Sequence, residues 1–297
     1  MRNIIPSHRH AILLMIVTTL LWSSAGVLTR HLTAGQGFIV TFWRSLFAAF
    51  FVAILLGWRQ PKTLFPSIYK AGKIGLFSGL MWCCMFCCFM VALSMTTVAN
   101  TLIVSSLSPL LTAIFAWVFL KEPIVFRTAI AIAAATAGMV IMFSTGINID
   151  HTHLLGMLIA LGVPIAASLN FIMLKKAGQH LDLIPSILLG CFFSIIAMLP
   201  LAWPVATSQH DLPILIALGF FQLGLPCMLL VVASKSLSAS EISLLTLLEV
   251  VLGPIWVWLG VGEIPAKETL WGGAIILGAL IFNELVAIRV KYKILKA

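Results

Sequence analysis

Two ionisable side chains stand inside long apolar runs of this sequence, and they define the chemistry open to it. Arg44 lies in FIVTFWRSLFAAF and Glu249 in SLLTLLEVVLGP. Glu241 opens the same run as Glu249, eight residues earlier. A charge at the centre of a bilayer costs a few kcal/mol unless it is paired or solvated, so such residues mark ion or solute pathways. A guanidinium can hold an anion. A carboxyl can hold a cation, or take up and release a proton. Two arrangements of Arg44 and Glu249 are open: a buried salt bridge, or a Glu249 that faces a cavity and binds a proton there. Glu284 lies close to a span end beside Arg289 and Lys291, where a snorkelling side chain is the simpler reading.

Uncharged groups at membrane depth extend the set. Trp22 and Ser24 lie in the first apolar run, Trp82 in the third, Asn100, Ser105 and Ser108 in the fourth. Asn170 lies in the sixth and Gln222 in the eighth. An indole face beside amides and hydroxyls suits a small amphipathic or cationic solute. The competing reading for each hydroxyl is a hydrogen bond back to its own helix. Catalysis has little support. No histidine lies in an apolar run, and H-E-x-x-H, G-x-S-x-G and P-loop patterns are missing. No catalytic residue, metal site or cofactor is therefore expected.

The elements that hold these residues follow from hydropathy. The mean hydropathy is +1.13 and 9% of residues are charged, against about a quarter in soluble domains. Continuous runs of this length cross a ~30 Å hydrocarbon core as helices. Ten spans are expected: 11–29, 38–58, 74–95, 99–120, 128–144, 154–174, 184–205, 213–233, 240–260 and 269–287. The fold class is an all-α membrane protein. The prolines at 109, 164, 226 and 254 interrupt four of the spans.

The chain is duplicated. Trp117, Glu122 and Thr128 recur as Trp258, Glu263 and Thr269, each 141 residues later. Residues 1–150 and 151–297 then form two five-helix repeats. An odd number of spans turns the second repeat upside down. The net charge of +9 is segregated accordingly: nearly all Lys and Arg fall on the side of the N-terminus, leaving Arg30 and Lys267 opposite. This is the positive-inside bias, with both termini cytoplasmic. It reads as contact with lipid headgroups, not nucleic acid. The first run exceeds a signal-peptide core of about 7–15 residues and lacks a clear cleavage site, so it is expected to be retained. Cys83, Cys84, Cys87 and Cys88 share helical faces and have no acidic or histidine neighbours, which favours buried thiols over a disulfide or zinc site.

The same offset pairs Thr97, Asn100 and Ser108 with Ser238, Glu241 and Glu249. Both trios fall on roughly one helical face. The fourth and ninth spans are thus expected to turn polar stripes toward a shared central cavity.

At this point the chain resembles the drug/metabolite transporter superfamily, EamA branch. The resemblance rests on Leu21-Trp22-Ser23-Ser24, on Arg44, and on the stretch from Ser243 through Glu249, Gly253-Pro254-Ile255-Trp256 and Gly262-Glu263. Ser108-Pro109-Leu110 through Phe119-Leu120-Lys121-Glu122-Pro123 is the first-half relative. The resemblance implies a bacterial inner-membrane secondary transporter, an exporter of an amino acid or related small metabolite. It implies a cavity lined by the first, third, fourth, sixth, eighth and ninth spans. Partners are then a small-molecule substrate and lipid, in a monomer or homodimer. The alternatives are a structural or sensory membrane subunit and an intramembrane enzyme.

Overall fold

The computed structural model describes residues 6–33, 37–59, 64–96, 98–142, 151–178, 181–262 and 266–296. The regular elements assigned to them are helical and fall into ten spans. They are α1 (His8–Ser23, then Ala25–Thr29), α2 (Gly37–Arg59), α3 (Leu64–Met95) and α4 (Val98–Ser105, Ser108–Phe115, then Ala116–Leu120). There follow α5 (Phe126–Met142), α6 (His151–Ala160, then Gly162–Ala177), α7 (Ile184–Ala202) and α8 (Asp211–Ala217, Leu218–Gly224, then Leu225–Ala233). The last two are α9 (Ala239–Val261) and α10 (Lys267–Lys296). Among the described residues, seven helices are individually long and apolar enough to cross a membrane.

Three boundaries differ from the hydropathy reading. α3 starts at Leu64, ten residues early, because an amphipathic segment joins it through a kink at Gly72 (φ 53°, ψ −142°). Only glycine adopts that geometry without strain. α10 runs past 287 to Lys296, since a helix rich in Lys, Ile and Leu need not stop at the bilayer surface. α7 stops at Ala202, where Trp203 turns extended (φ −60°, ψ 133°).

Prolines explain most of the broken spans. α4 breaks just before Pro109, α6 just before Pro164, and the wide turn of α8 (Leu218–Gly224) ends before Pro226. Proline lacks the N–H that would bond the carbonyl four residues earlier and collides with that carbonyl. Pro254 lies within an unbroken α9.

The neighbour relations reveal the symmetry of the bundle. α5 packs on α10 and α2 on α7. α3 packs on α6 as α8 packs on α1, α4 on α6 as α9 on α1, and α2 on α8 as α7 on α3. Exchanging each helix with the one five places on maps these contacts onto one another, as a pseudo-two-fold axis requires. Close approach at two equivalent crossings depends on glycine. A Cβ on Gly79 would stand 2.8 Å from Leu189 Cβ of α7, and one on Gly219 would stand 2.9 Å from the Arg44 carbonyl of α2. Small residues at such crossings let backbones approach, which drives helix association where lipid is as apolar as leucine.

The repeated Trp–Glu–Thr punctuation is a helix terminus. α4 ends at Lys121 (φ 56°) and α9 at Gly262 (φ 78°), both left-handed and 141 residues apart. The Glu122 N–H reaches the Ala116 carbonyl (3.3 Å), and the Gly262 N–H reaches Trp258 (3.0 Å). These are αL caps. Trp117 and Trp258 project outward, 61% and 46% exposed, as interfacial residues do. Glu263 lies outside the described residues. Thr128 instead joins the α5–α10 seam, its Oγ1 donating to Asn283 Oδ1 (3.3 Å).

The two caps give a prediction. Lys121→Gly should raise thermal stability in detergent by about 1 kcal/mol, because a left-handed lysine is strained. Gly262→Ala should lower it by about the same amount. Equal melting temperatures for all three proteins would contradict the cap assignment.

Candidate functional site

α1, α2, α3, α4, α6, α8 and α9 enclose one cavity of about 110 Å³ at membrane depth. Its charged wall residues are Arg44 and Glu249, and its polar ones Ser105, Ser108, Gln222 and Thr246. Trp22, Trp82, Phe86, Phe89 and Phe171 give it an aromatic surface. Such a mixture, mostly apolar with a few placed polar groups, is the usual character of a small-molecule site.

Arg44 is 2% exposed. Its Nη1 donates to Gln222 Oε1 (3.2 Å) and its guanidinium lies 6.0 Å from the Phe86 ring centroid. Gln222 in turn donates from Nε2 to the Trp22 carbonyl (3.4 Å), tying α2, α8 and α1 together. The wide turn Leu218–Gly224 carries Gln222, and Gly219 in that turn admits α8 against the Arg44 backbone. Arg44 Nε and Trp82 Nε1 are buried with no hydrogen-bond partner among the described residues.

Glu249 and Arg44 line the same cavity and act on each other electrostatically. Among the described residues no ion pair within 4.0 Å joins them. The salt-bridge arrangement is therefore not the one observed; Glu249 faces the cavity. Two of the four helix-interrupting prolines act next to that wall. Pro109 and Pro254 remove the N–H that would bond the carbonyls of Ser105 and Val250, and both residues line the cavity.

Four expected site residues lie elsewhere or beyond description. Glu241 forms a capping box at the start of α9: its Oε2 accepts from the Ser238 N–H (2.8 Å), and the Ser238 Oγ accepts from the Glu241 N–H (3.2 Å). The sequence Ser-x-x-Glu already spells that motif, and its register sets Glu241 two turns from Glu249. Asn170 is fully buried in a polar knot, with Ser78 Oγ donating to its Oδ1 (2.6 Å) and meeting Ser186 Oγ (3.0 Å). Ser24 donates to the Leu21 carbonyl (2.6 Å) at the break in α1, away from the cavity. Thr97 and the Asn100 side chain lie outside the described residues, so the α4 stripe reduces to Ser105 and Ser108. Ser105 also donates back to Thr101 (2.8 Å).

The structure adds wall residues that the sequence reading passed over. Phe86 and Phe89 follow Trp82 at four and seven residues, one face of a helix. Thr246 precedes Glu249 by one turn. Helical spacing from the residues already chosen would have found all three. The cysteines are free and stay off the wall; Cys84 and Cys88 pack on α6, with the Cys84 thiol donating to the Gly162 carbonyl (3.7 Å).

Polar contacts close both ends of the bundle differently. Toward the N-terminal end the α8–α9 turn is gripped on three sides. Ser236 Oγ donates to the Pro6 carbonyl (2.6 Å), Lys175 Nζ to the Leu237 carbonyl (2.8 Å), and His8 Nε2 lies 3.5 Å from Glu241 Oε1. Between that clasp and the cavity, Met15, Leu174, Leu230 and Ile242 form tightly buried packing. At the opposite end the buried Asp211 carboxylate accepts from the Thr33 N–H (2.9 Å) and hydroxyl (2.7 Å). Asp211 was not singled out in the sequence, although an acid at the first turn of an apolar span is a visible signal.

The EamA-like transporter family model matches the chain twice, at residues 9–144 and 154–284. The S-adenosylmethionine uptake transporter of Rickettsia bellii is 25% identical over 269 residues, covering 88% of each chain. That of Rickettsia prowazekii is 25% identical over 280 residues, 91% of this chain and 90% of its own. Solute carrier family 35 member G1 of Mus musculus is 27% identical over 148 residues, 45% of this chain and 40% of its own. A solved crystal structure superposes with a TM-score of 0.79 at 18% identity, covering 95% of this chain and 99% of the other. The last shows a shared fold.

Two predictions follow from the wall. In a cysteine-free background, cysteines at Ser105 and Thr246 should react with a small water-soluble thiol reagent, and one at Asn170 should not; labelling at Asn170 would contradict the dry knot. Glu241→Ala should lower unfolding stability by about 1 kcal/mol, the usual worth of a lost cap, and leave solute affinity unchanged when both are measured on purified protein.

Proposed function

The chain belongs to the EamA-like transporter family, and we propose that it works as an inner-membrane secondary transporter of a small amphipathic metabolite. Family membership makes it a multi-pass membrane transporter rather than an enzyme. The observation that carries the finer reading is the cavity itself, a pocket at membrane depth holding an arginine and a glutamate that do not pair with each other. A static bundle gains nothing from two charges that are not ion-paired and each cost a few kcal/mol. A carrier uses both, one for the solute and one for coupling.

The cycle we propose is alternating access. The described contacts seal the N-terminal end with the clasp and several layers of apolar packing, so the cavity lies toward the Asp211 end. With the positive-inside orientation, the N-terminal end is cytoplasmic and this state is closed toward the cytoplasm. Releasing the clasp on α8–α9 while keeping the Asp211–Thr33 contact would turn the cavity inward. The breaks before Pro109 and Pro226 and the kink-prone Pro254 supply flexible points next to the site. Export is the direction we favour, and the amino-acid class is the substrate we expect. The rickettsial relatives are named for uptake of S-adenosylmethionine, an amino-acid derivative, and a secondary carrier runs either way according to the gradients.

Glu249 is the coupling group in this scheme. Protonation removes its charge from an apolar cavity and favours closure; deprotonation restores an anion facing Arg44. Glu249→Gln imitates the protonated form. With a solute identified by comparing export in cells with and without the protein, the variant in proteoliposomes should keep binding and counterflow. It should lose accumulation driven by a pH gradient. Wild-type pH dependence in the variant would remove Glu249 from the coupling role.

A further inference from the structure

We propose that the cavity carries a carboxylate anchor, formed by Arg44 and Trp82 and positioned by Gln222, so that the transported solute bears a carboxylate head. The inference rests on the transporter reading and adds which end of the solute goes where. Two of the five buried polar atoms without a partner among the described residues, Arg44 Nε and Trp82 Nε1, belong to cavity-lining side chains. Both are donors. A buried donor left unmade costs about 1–3 kcal/mol, and Arg44 and Trp82 are only 2% and 0% exposed, with little solvent to relieve them. They call for a ligand that brings acceptors.

The geometry of the guanidinium narrows the ligand class. Gln222 occupies Nη1, and the Nε side of the fork stays free. That side presents two parallel N–H groups, the arrangement that a planar carboxylate meets with two hydrogen bonds. Gln222 cannot rotate away, because its own Nε2 is engaged by the Trp22 carbonyl. It therefore holds the fork in one orientation. The remaining wall is of the opposite kind. Glu249, when ionised, repels a second carboxylate and accepts a cationic or hydrogen-bond-donating group. Between the two poles lie the faces of Trp22, Phe86 and Phe171. The solute is thus an amphiphile with its acid toward α2 and α3, its apolar body over the aromatic rings, and any cationic group toward α9.

Three probes with one aromatic body test this on purified protein: 3-phenylpropionate, 3-phenylpropanamide and 3-phenylpropylamine. Quenching of intrinsic tryptophan fluorescence, with Trp22 and Trp82 in the wall, reads binding. The acid should bind roughly tenfold or more tightly than the amide, the difference expected when charge-assisted hydrogen bonds are lost. Gln222→Met should bring the acid-over-amide affinity ratio down toward one; a ratio unchanged from wild type would overturn the positioning role of Gln222. Arg44→Lys, which keeps the charge without the fork, should also weaken the acid selectively. Amine or amide binding better than acid overturns the anchor and leaves the cavity as a solute site. Binding of none of the three overturns the anchor and the small-amphiphile reading together.

Discussion

A guanidinium held inside a membrane-spanning bundle is the constraint around which this structure is arranged. Among the described residues Arg44 makes one hydrogen bond, to Gln222, and it lies against the Phe86 ring. Each partner in turn demands a feature of the backbone. Gln222 must approach α2 closely, which Gly219 permits, and it must point at both Arg44 and Trp22, which the wide turn of α8 arranges. An ordinary α-helical turn would rotate the amide by a substantial part of a turn. The irregular segment of α8 is therefore not a defect of a proline-containing helix. It is the geometry that solvates a charge where water is scarce.

The same constraint shows why the two repeats are no longer equivalent. The crossing of Gly219 over Arg44 has its counterpart where Gly79 crosses α7 next to the Ser186 carbonyl (3.3 Å). Ser186 thus stands where the second copy would place an arginine. It is joined to Ser78 and Asn170 in a knot with no exposed surface. Neutral hydroxyls and an amide can satisfy most of one another's needs and stay dry. An arginine and a glutamate that are not ion-paired cannot, so the central cavity, walled by helices of both repeats, carries its charges asymmetrically. Duplication made the scaffold, and the loss of equivalence made a site with direction.

Much of this was legible in the sequence because membranes impose simple rules. Ten spans and their inversion follow from hydropathy, an odd repeat and segregated charge. Arg44 and Glu249 stood out because a buried charge is costly, whatever the details of packing. The polar stripe of α9 was misread at Glu241, where helical periodicity pointed to one face. Periodicity says nothing about depth, and two turns carried Glu241 from the cavity to the helix cap. Asn170 failed for a related reason: a polar residue at mid-membrane depth needs a partner, and hydropathy does not say whether that partner is a solute or Ser78. Aromatic wall residues such as Phe86 and Phe89 are indistinguishable in composition from lipid-facing phenylalanine, so only the packed structure assigns them.

The two end seals differ in a way that bears on how such a bundle can switch. At the N-terminal end, Ser236 and Lys175 donate to backbone carbonyls of Pro6 and Leu237. Carbonyl acceptors do not depend on a particular side chain, and each such bond contributes about 0.5–1.5 kcal/mol net, somewhat more for the charged lysine. Two or three of them hold a closed state by a few kcal/mol, which is the scale at which differential binding of a solute can reverse a two-state equilibrium. At the other end a single buried carboxylate, Asp211, gathers both the amide and the hydroxyl of Thr33. Charge-assisted bonds to one acid make a stronger and more localised lock. It pins the α1–α2 connection to the first turn of α8, the helix that carries Gln222. Asp211 and Gln222 lie eleven residues apart on α8, with the wide turn beginning between them at Leu218, so the lock and the group that orients Arg44 share one helix without forming a rigid rod.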